Sequence, residues 1–211
     1  PTADISQLSS IEHYFNDFKP QVVIHLAALT DMQLCEKQPQ LAFKVNVEGT
    51  ANVLKLAKSA GTKYIVFTSS PFIFNGTNRE PYVESDSPMP LNVYGKTKLK
   101  AEELIRDSGL DYTVFRPGWL FGPFARGFSS ALIKLLYSGK RVKLASDSYC
   151  SPVYNLDLAQ YITNSIAKPD YGIIHISSGE AITPYQFGEQ ILENTGWKGE
   201  ITAVPFNSLD L

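Results

Sequence analysis

Apolar residues follow two rhythms along this chain. Short unbroken runs occupy 21–28 (QVVIHLAA), 63–69 (KYIVFTS), 111–116 (DYTVFR) and 172–177 (GIIHIS). Each is of strand length, and continuous rather than alternating apolarity predicts strands covered on both faces, as in a parallel sheet. Between them, 39–60 carries Leu41, Val45, Val53, Leu54 and Ala57 at helical spacing and stops at Gly61. A second helix is predicted over 94–108, ending before Gly109. Strands centred on 22–26, 64–68, 112–116 and 173–176, alternating with helices of this length, make βαβ units. Because their crossovers are right-handed, the natural product is a doubly wound parallel sheet, and the fold class is α/β.

Two stretches break the alternation. Residues 71–92 are rich in proline and turn residues and read as a long loop. It follows a strand's carboxyl end, where α/β proteins place their ligands. From 117 onward the elements are shorter and mixed, which predicts a small C-terminal lobe. The resulting division is 1–116 and 117–211, with 151–178 packing back on the sheet.

With 211 residues, the chain suffices for one large domain or a domain with a smaller lobe. A formal net charge of −2 leaves no basic footprint for nucleic acid or an anionic membrane. No apolar run approaches the ~18 residues of a membrane span. The first ten residues are polar, unlike a secretion signal. Cys35 and Cys150, the two cysteines, fit no zinc spacing and read as free thiols. A cytoplasmic protein is expected. His13, His25 and His175 match no metal spacing, and no metal site is expected. His25 and His175 fall inside predicted strands and read as satisfied core histidines.

The chemistry concentrates at Tyr94-Gly95-Lys96-Thr97-Lys98. Residues four apart share a helix face, so a phenol and an ammonium can enter one site. A tyrosine has a pKa of about 10, and a nearby cation favours its phenolate. Tyr94 is therefore a candidate proton donor to a carbonyl oxygen as hydride reaches the carbon. Ser69 and Ser70 stand just beyond the 63–69 strand, where a hydroxyl can bond the same oxygen.

These residues sit in a wider series: Leu26-Ala27-Ala28-Leu29-Thr30, Val45-Asn46-Val47-Glu48-Gly49-Thr50, Thr68-Ser69-Ser70, Phe74-Asn75-Gly76, Leu91-Asn92-Val93-Tyr94-Gly95-Lys96-Thr97-Lys98 and Arg116-Pro117-Gly118-Trp119. Their order resembles that of extended short-chain dehydrogenase/reductases, more narrowly the dTDP-4-dehydrorhamnose reductases, from Asp4 to about Ala159. The resemblance implies a Rossmann-type sheet with a substrate-binding lobe. It also implies an NAD(P)-dependent oxidoreductase that uses NADPH or NADH on a nucleotide-sugar substrate, with a homodimer left open. By position, Tyr94 resembles the catalytic acid. Lys98 resembles the residue that lowers its pKa and holds the nicotinamide ribose. Ser70 stands for the family threonine on the substrate carbonyl, and Asn46 for a helix asparagine of the proton relay. Asp4 and Ile5 match the pair that brackets the adenine. Ala27, Ala28, Leu29 and Ser69 match the turns beside the cofactor, Pro117 and Gly118 the segment under the nicotinamide. Thr30, Ser70, Pro71, Phe72 and Trp119 fall on the substrate side. Arg126 could reach a substrate phosphate, and Asp147 and Asp157 read as supports of the lobe.

Two departures qualify the resemblance. Where the family has Asp-Tyr, this chain has Pro71-Phe72, which removes two polar contacts to the sugar. Rhamnose specificity is thus put in question, and a 4-epimerase stays open as an alternative. So does a non-catalytic NAD(P)-binding subunit like the beta subunit of methionine adenosyltransferase. No G-x-x-G-x-x-G phosphate loop appears either, and the choice of NAD or NADP would be set by a strand not in the chain. A further ~40–60 residues are expected before Pro1, enough for two strand–helix units. Their loss is expected to leave a gap within the sheet and an aggregation-prone chain with poor affinity for NAD(P)H.

Overall fold

The computed structural model describes residues 3–78, 80–125 and 127–209. Helix α1 (Leu8–Phe18) leads to strand β1 (Val22–His25), then α2 (Met32–Lys37) and α3 (Pro39–Phe43). A π-helical turn (Lys44–Glu48) joins α3 to α4 (Gly49–Ala60), followed by β2 (Tyr64–Thr68). A 3-10 turn (Pro71–Ile73) opens the connection to α5 (Val93–Arg106) and β3 (Asp111–Pro117). Then come β4 (Trp119–Phe121), α6 (Phe128–Tyr137), β5 (Arg141–Ala145), β6 (Pro152–Tyr154), α7 (Asn155–Ala167), β7 (Gly172–Ile176), α8 (Pro184–Thr195) and β8 (Glu200–Val204). Two compact units result: Pro1–Pro117 with Ile162–His175, and Gly118–Tyr161 with Ile176–Leu211.

In the first unit the strands run β1-β2-β3-β7 across the sheet. β1 and β2 are parallel, Val22 opposite Tyr64, and β2 and β3 are parallel, Tyr64 opposite Asp111. The expected gap is absent, because the four strands are immediate neighbours and β1 takes the outer place. Within this chain the side chains of the β1 run are unevenly covered. Ile24 is 42% and Leu26 57% exposed, while His25 between them is buried. An outer strand has only one neighbouring strand, and continuous apolarity in sequence cannot tell an outer strand from an inner one.

Helix and sheet share a core of Ile11, Val53, Leu54, Leu56, Ile65, Phe67, Ala101, Ile105 and Val114. Burying each larger side chain contributes roughly 1.5–3 kcal/mol. Leu8, Ile11 and Phe15 at helical spacing put one face of α1 on this core. The single helix predicted over 39–60 is instead three pieces. Pro39 starts α3, the π-turn widens the middle, and α4 ends where Gly61 adopts φ 79. A hydrophobic count tolerates one extra residue in a turn, so the π-turn left no mark in the pattern.

The second unit holds two parallel strand pairs, β4 with β6 and β5 with β8. Leu132, Leu136, Leu144, Ile182 and Phe187 form its core. Thr183 and Gln186 close a reciprocal capping box on α8. Among the described residues no helix is long and apolar enough to cross a membrane.

His25 is the buried titratable group of β1. Burial, and then the charge of Lys98, push its pKa from 6.5 down to about 3. The unfolded chain takes up this proton below the ordinary value while the folded chain does not. The stabilisation is therefore complete above about pH 6.5 and is lost as pH falls toward 3. His25→Gln should flatten the fall in urea midpoint between about pH 7 and pH 4. An unchanged slope would show that His25 does not titrate on unfolding.

Candidate active site

Strand β2 ends at Thr68, and Ser69 and Ser70 follow it directly. The Thr68 and Ser69 oxygens are buried without a hydrogen-bond partner. Ser70 caps the 3-10 turn by accepting from the Phe72 N–H at 3.3 Å. Helix α5 starts close by, with the Asn92 side chain accepting from the Gly95 N–H at 2.7 Å. A methyl group on Gly95 would drive into the Phe72 carbonyl oxygen. Only glycine lets the first turn of α5 approach the β2 exit so closely, and that approach brings Tyr94 to Ser70.

Tyr94, Lys98 and Glu102 are all buried along one face of α5. The Tyr94 ring meets Phe72 edge-on at 6.3 Å and packs in a small apolar cluster with Cys35 and Ala42. Burial pushes the Tyr94 phenol up to about 12, against the pull of the Ser70 hydroxyl beside it. Burial pushes Lys98 down to about 7, with Glu102 opposing. Lys98 places its ammonium 4.1 Å over the Phe67 ring. Burial, rather than the Lys98 charge, sets the direction of the Tyr94 shift in this structure. Desolvation outweighs charge at both groups, and Lys98 is itself close to losing its proton at neutrality. A phenol with a raised pKa keeps its proton, which suits a donor. Glu102 has a second partner. Arg116 grips it bidentately, at 3.0 Å from Nε and 2.7 Å from an Nη.

Asn46 lies in the π-turn, 2% exposed. Its Oδ1 accepts from the Leu29 N–H at 2.7 Å, and its Nδ2 donates to the Leu29 carbonyl at 3.0 Å and to Thr97 Oγ1 at 2.9 Å. Thr97 Oγ1 in turn donates to the Tyr94 carbonyl at 2.7 Å. Both amide protons are committed to fixed protein acceptors, so the side chain ties these segments together.

The remaining predicted positions are spread over both units. Asp4 accepts from the Ser6 N–H at 2.9 Å and from Gln7 at 3.1 Å, and these bonds lower its pKa. Ile5 packs against Gly49, and its carbonyl accepts from Asn52. Ala27 and Thr30 are exposed, Ala28 and Pro71 half-buried, and Pro117 buried at the end of β3. In the second unit, Gly118 lies against the Ser151 carbonyl with no space for a side chain. There too, the Trp119 ring tilts against Phe128 at 5.2 Å, and Asp147 accepts from the Phe206 N–H. Arg126 lies outside the described residues. Sequence reading passed over Gly95 and Thr97, although both stand inside the Y-x-x-x-K. Their importance comes from close approach and main-chain bonding, which side-chain chemistry does not signal.

The family model described as RmlD substrate binding domain matches residues 1–209. The chain is 32% identical over 201 residues to the spore coat polysaccharide biosynthesis protein SpsK of Bacillus subtilis, covering 95% of this chain and 70% of that protein. It is 32% identical over 186 residues to methionine adenosyltransferase 2 subunit beta of Rattus norvegicus, covering 84% of this chain but 55% of that protein. The crystal structure of dTDP-4-dehydrorhamnose reductase from Bacillus anthracis, in complex with NADP, is similar with a TM-score of 0.91 and 28% identity. That match covers 98% of this chain and 74% of the other.

The contact at Gly95 can be tested directly. Gly95→Ala should cost about 1–3 kcal/mol in urea denaturation, the usual effect of overpacking. Lys96→Ala, on the exposed side of the same turn, should stay within about 0.5 kcal/mol of the parent. Equal stabilities for the two variants would remove the close-approach argument.

Proposed function

The chain belongs to the RmlD substrate binding domain family, and from that premise we propose that its protein is an NAD(P)H-dependent reductase of a keto group on a nucleotide-linked sugar. The observation that carries the reading is the meeting of the Ser70 and Tyr94 hydroxyls at the carboxyl end of β2, with Lys98 one turn along α5. The cofactor fits the residues present, since the buried Thr68 and Ser69 oxygens are hydrogen-bonding groups without a partner. A partnerless buried hydroxyl costs roughly 1–3 kcal/mol, so its persistence at a strand end points to a ligand. NADP in the Bacillus anthracis relative supports the same cofactor class.

When bound, the nicotinamide supplies the hydride. The chain's own groups handle the oxygen. Ser70 donates a hydrogen bond to the carbonyl, and Tyr94 gives up its phenolic proton as negative charge develops there. Lys98 would hold the ribose, and its ammonium then stabilises the phenolate left on Tyr94. Thr30, Pro71 and Phe72 are the residues of the first unit that we assign to the sugar. The Pro71 side chain offers no hydrogen bond and Phe72 no hydroxyl, which favours a substrate face less polar than that of dTDP-4-dehydrorhamnose.

The same two residues favour a second reading. A subunit that keeps the cofactor site without sugar chemistry would resemble the methionine adenosyltransferase relative. The two readings separate in one assay, in which the natural protein carrying this chain is offered NADPH or NADH and a panel of 4-keto-sugar nucleotides. Nicotinamide oxidation with at least one sugar is expected. Tyr94→Phe should then lower kcat by ~10²–10⁴ with little change in cofactor affinity. Full turnover in Tyr94→Phe would overturn the mechanism, and cofactor binding without turnover on any sugar would favour the regulatory subunit.

A further inference from the structure

His25 and Thr50 take no part in the chemistry assigned above, yet both are buried to within 3% and 1% of complete exclusion from solvent. The Thr50 hydroxyl donates to the Asn46 carbonyl at 2.7 Å, four residues back along the helix. A hydroxyl has one proton, so toward His25 the same oxygen can only accept. His25 Nε2, at 2.9 Å, must therefore be the donor, which fixes the imidazole as the Nε2–H tautomer. The His25 ring also stands 5.4 Å from Phe67, the ring beneath the Lys98 ammonium.

This pair braces an unusual piece of backbone. Single π-turns are rare and are found mostly at functional sites. In this one the Gly49 N–H reaches back five residues to the Lys44 carbonyl. Widening a helix displaces carbonyls from their regular partners, and a threonine that bonds four residues back bends the helix in the same sense. The Asn46 carbonyl is held by the Thr50 hydroxyl, while the Asn46 amide points the other way, to Leu29 and Thr97. We propose that His25 and Thr50 are positioning residues. Thr50 bonds the Asn46 main chain and His25 holds the Thr50 hydroxyl, so that together they keep the π-turn in the register that aims the Asn46 amide at Leu29 and Thr97, and so set where Tyr94 and Lys98 stand.

The catalytic part of this inference rests on the reductase reading, whereas the structural part does not. The test therefore uses two readouts on the natural protein and its variants. Long-range proton–nitrogen NMR of the wild type should show His25 as the Nε2–H tautomer, with slowly exchanging Asn46 side-chain amide protons. Thr50→Val keeps the shape and removes the hydroxyl. It should free the Asn46 amide to exchange and lower kcat about ten- to hundredfold, with KM little changed. Thr50→Ser should restore both. His25→Gln, which keeps an N–H donor, should lie nearer wild type than His25→Leu.

An Nδ1–H tautomer in the wild type would overturn the proposal whatever the variants do, as would full amide protection in Thr50→Val. If no sugar is reduced but the NMR pattern and its Thr50→Ser rescue appear, the bracing stands and the reductase reading falls. If sugars are reduced and Thr50→Val matches Thr50→Ser in both readouts, the bracing falls and the reductase reading stands.

Discussion

The amide of Asn46 is the constraint on which the candidate site depends. It joins three segments far apart in sequence: the turn after β1, the π-turn itself and the first turns of α5. A buried amide left without partners costs far more than a satisfied one gains, so the three segments are fixed together or not at all. Thr97 passes the constraint to the Tyr94 main chain through a second buried bond. Gly95 supplies the complementary condition, an absence of side chain that lets α5 close on the Phe72 carbonyl. One end of the helix is thus set by hydrogen bonding and by sterics at once.

Within that frame, solvent exclusion outweighs charge. Tyr94 and Lys98 are four residues apart, as a simple electrostatic account of the pair requires, yet both are perturbed toward their neutral forms. The partner that would hold the Lys98 proton is Glu102, whose carboxylate is already gripped by Arg116. A fork that satisfies both carboxylate oxygens leaves little attraction for a second cation. Burial thus leaves the Lys98 proton less firmly held than that of an exposed lysine.

Much of this was legible in the sequence because it depends on period and on side-chain identity. Unbroken apolar runs located the four strands of the sheet, and a spacing of four located Tyr94 and Lys98. The fold class followed from the alternation of strands and helices and the family from the order of the motifs, and the comparisons agree with both. What escaped depends on backbone geometry or on neighbours. A run such as 21–28 is equally apolar whether its strand lies inside a sheet or at its edge, so the exposure of Ile24 and Leu26 was hidden. A π-turn adds one residue to a turn without altering the apolar face of 39–60. The importance of Gly95, Thr97 and Thr50 rests on which main-chain atom each meets. Proximity in sequence likewise carries no information about the desolvation that dominates at Tyr94.

The described residues of the long connection between β2 and α5 have almost no regular structure, yet they are fastened at intervals. The Met89 N–H reaches the Ile73 carbonyl, and the Tyr82 hydroxyl bonds Asn75. Glu84 accepts from the His175 N–H, and the His175 ring donates to the Tyr82 carbonyl. At the far end Glu36 accepts from the Val93 N–H. A loop pinned in this way is a set of short spans, each with a small closure entropy of its own. Residues between the pins are free to vary in size and polarity while Ser70 and Tyr94 stay where they are. The surface beside Ser70 and Tyr94 can thereby be rewritten over evolution without disturbing those two side chains.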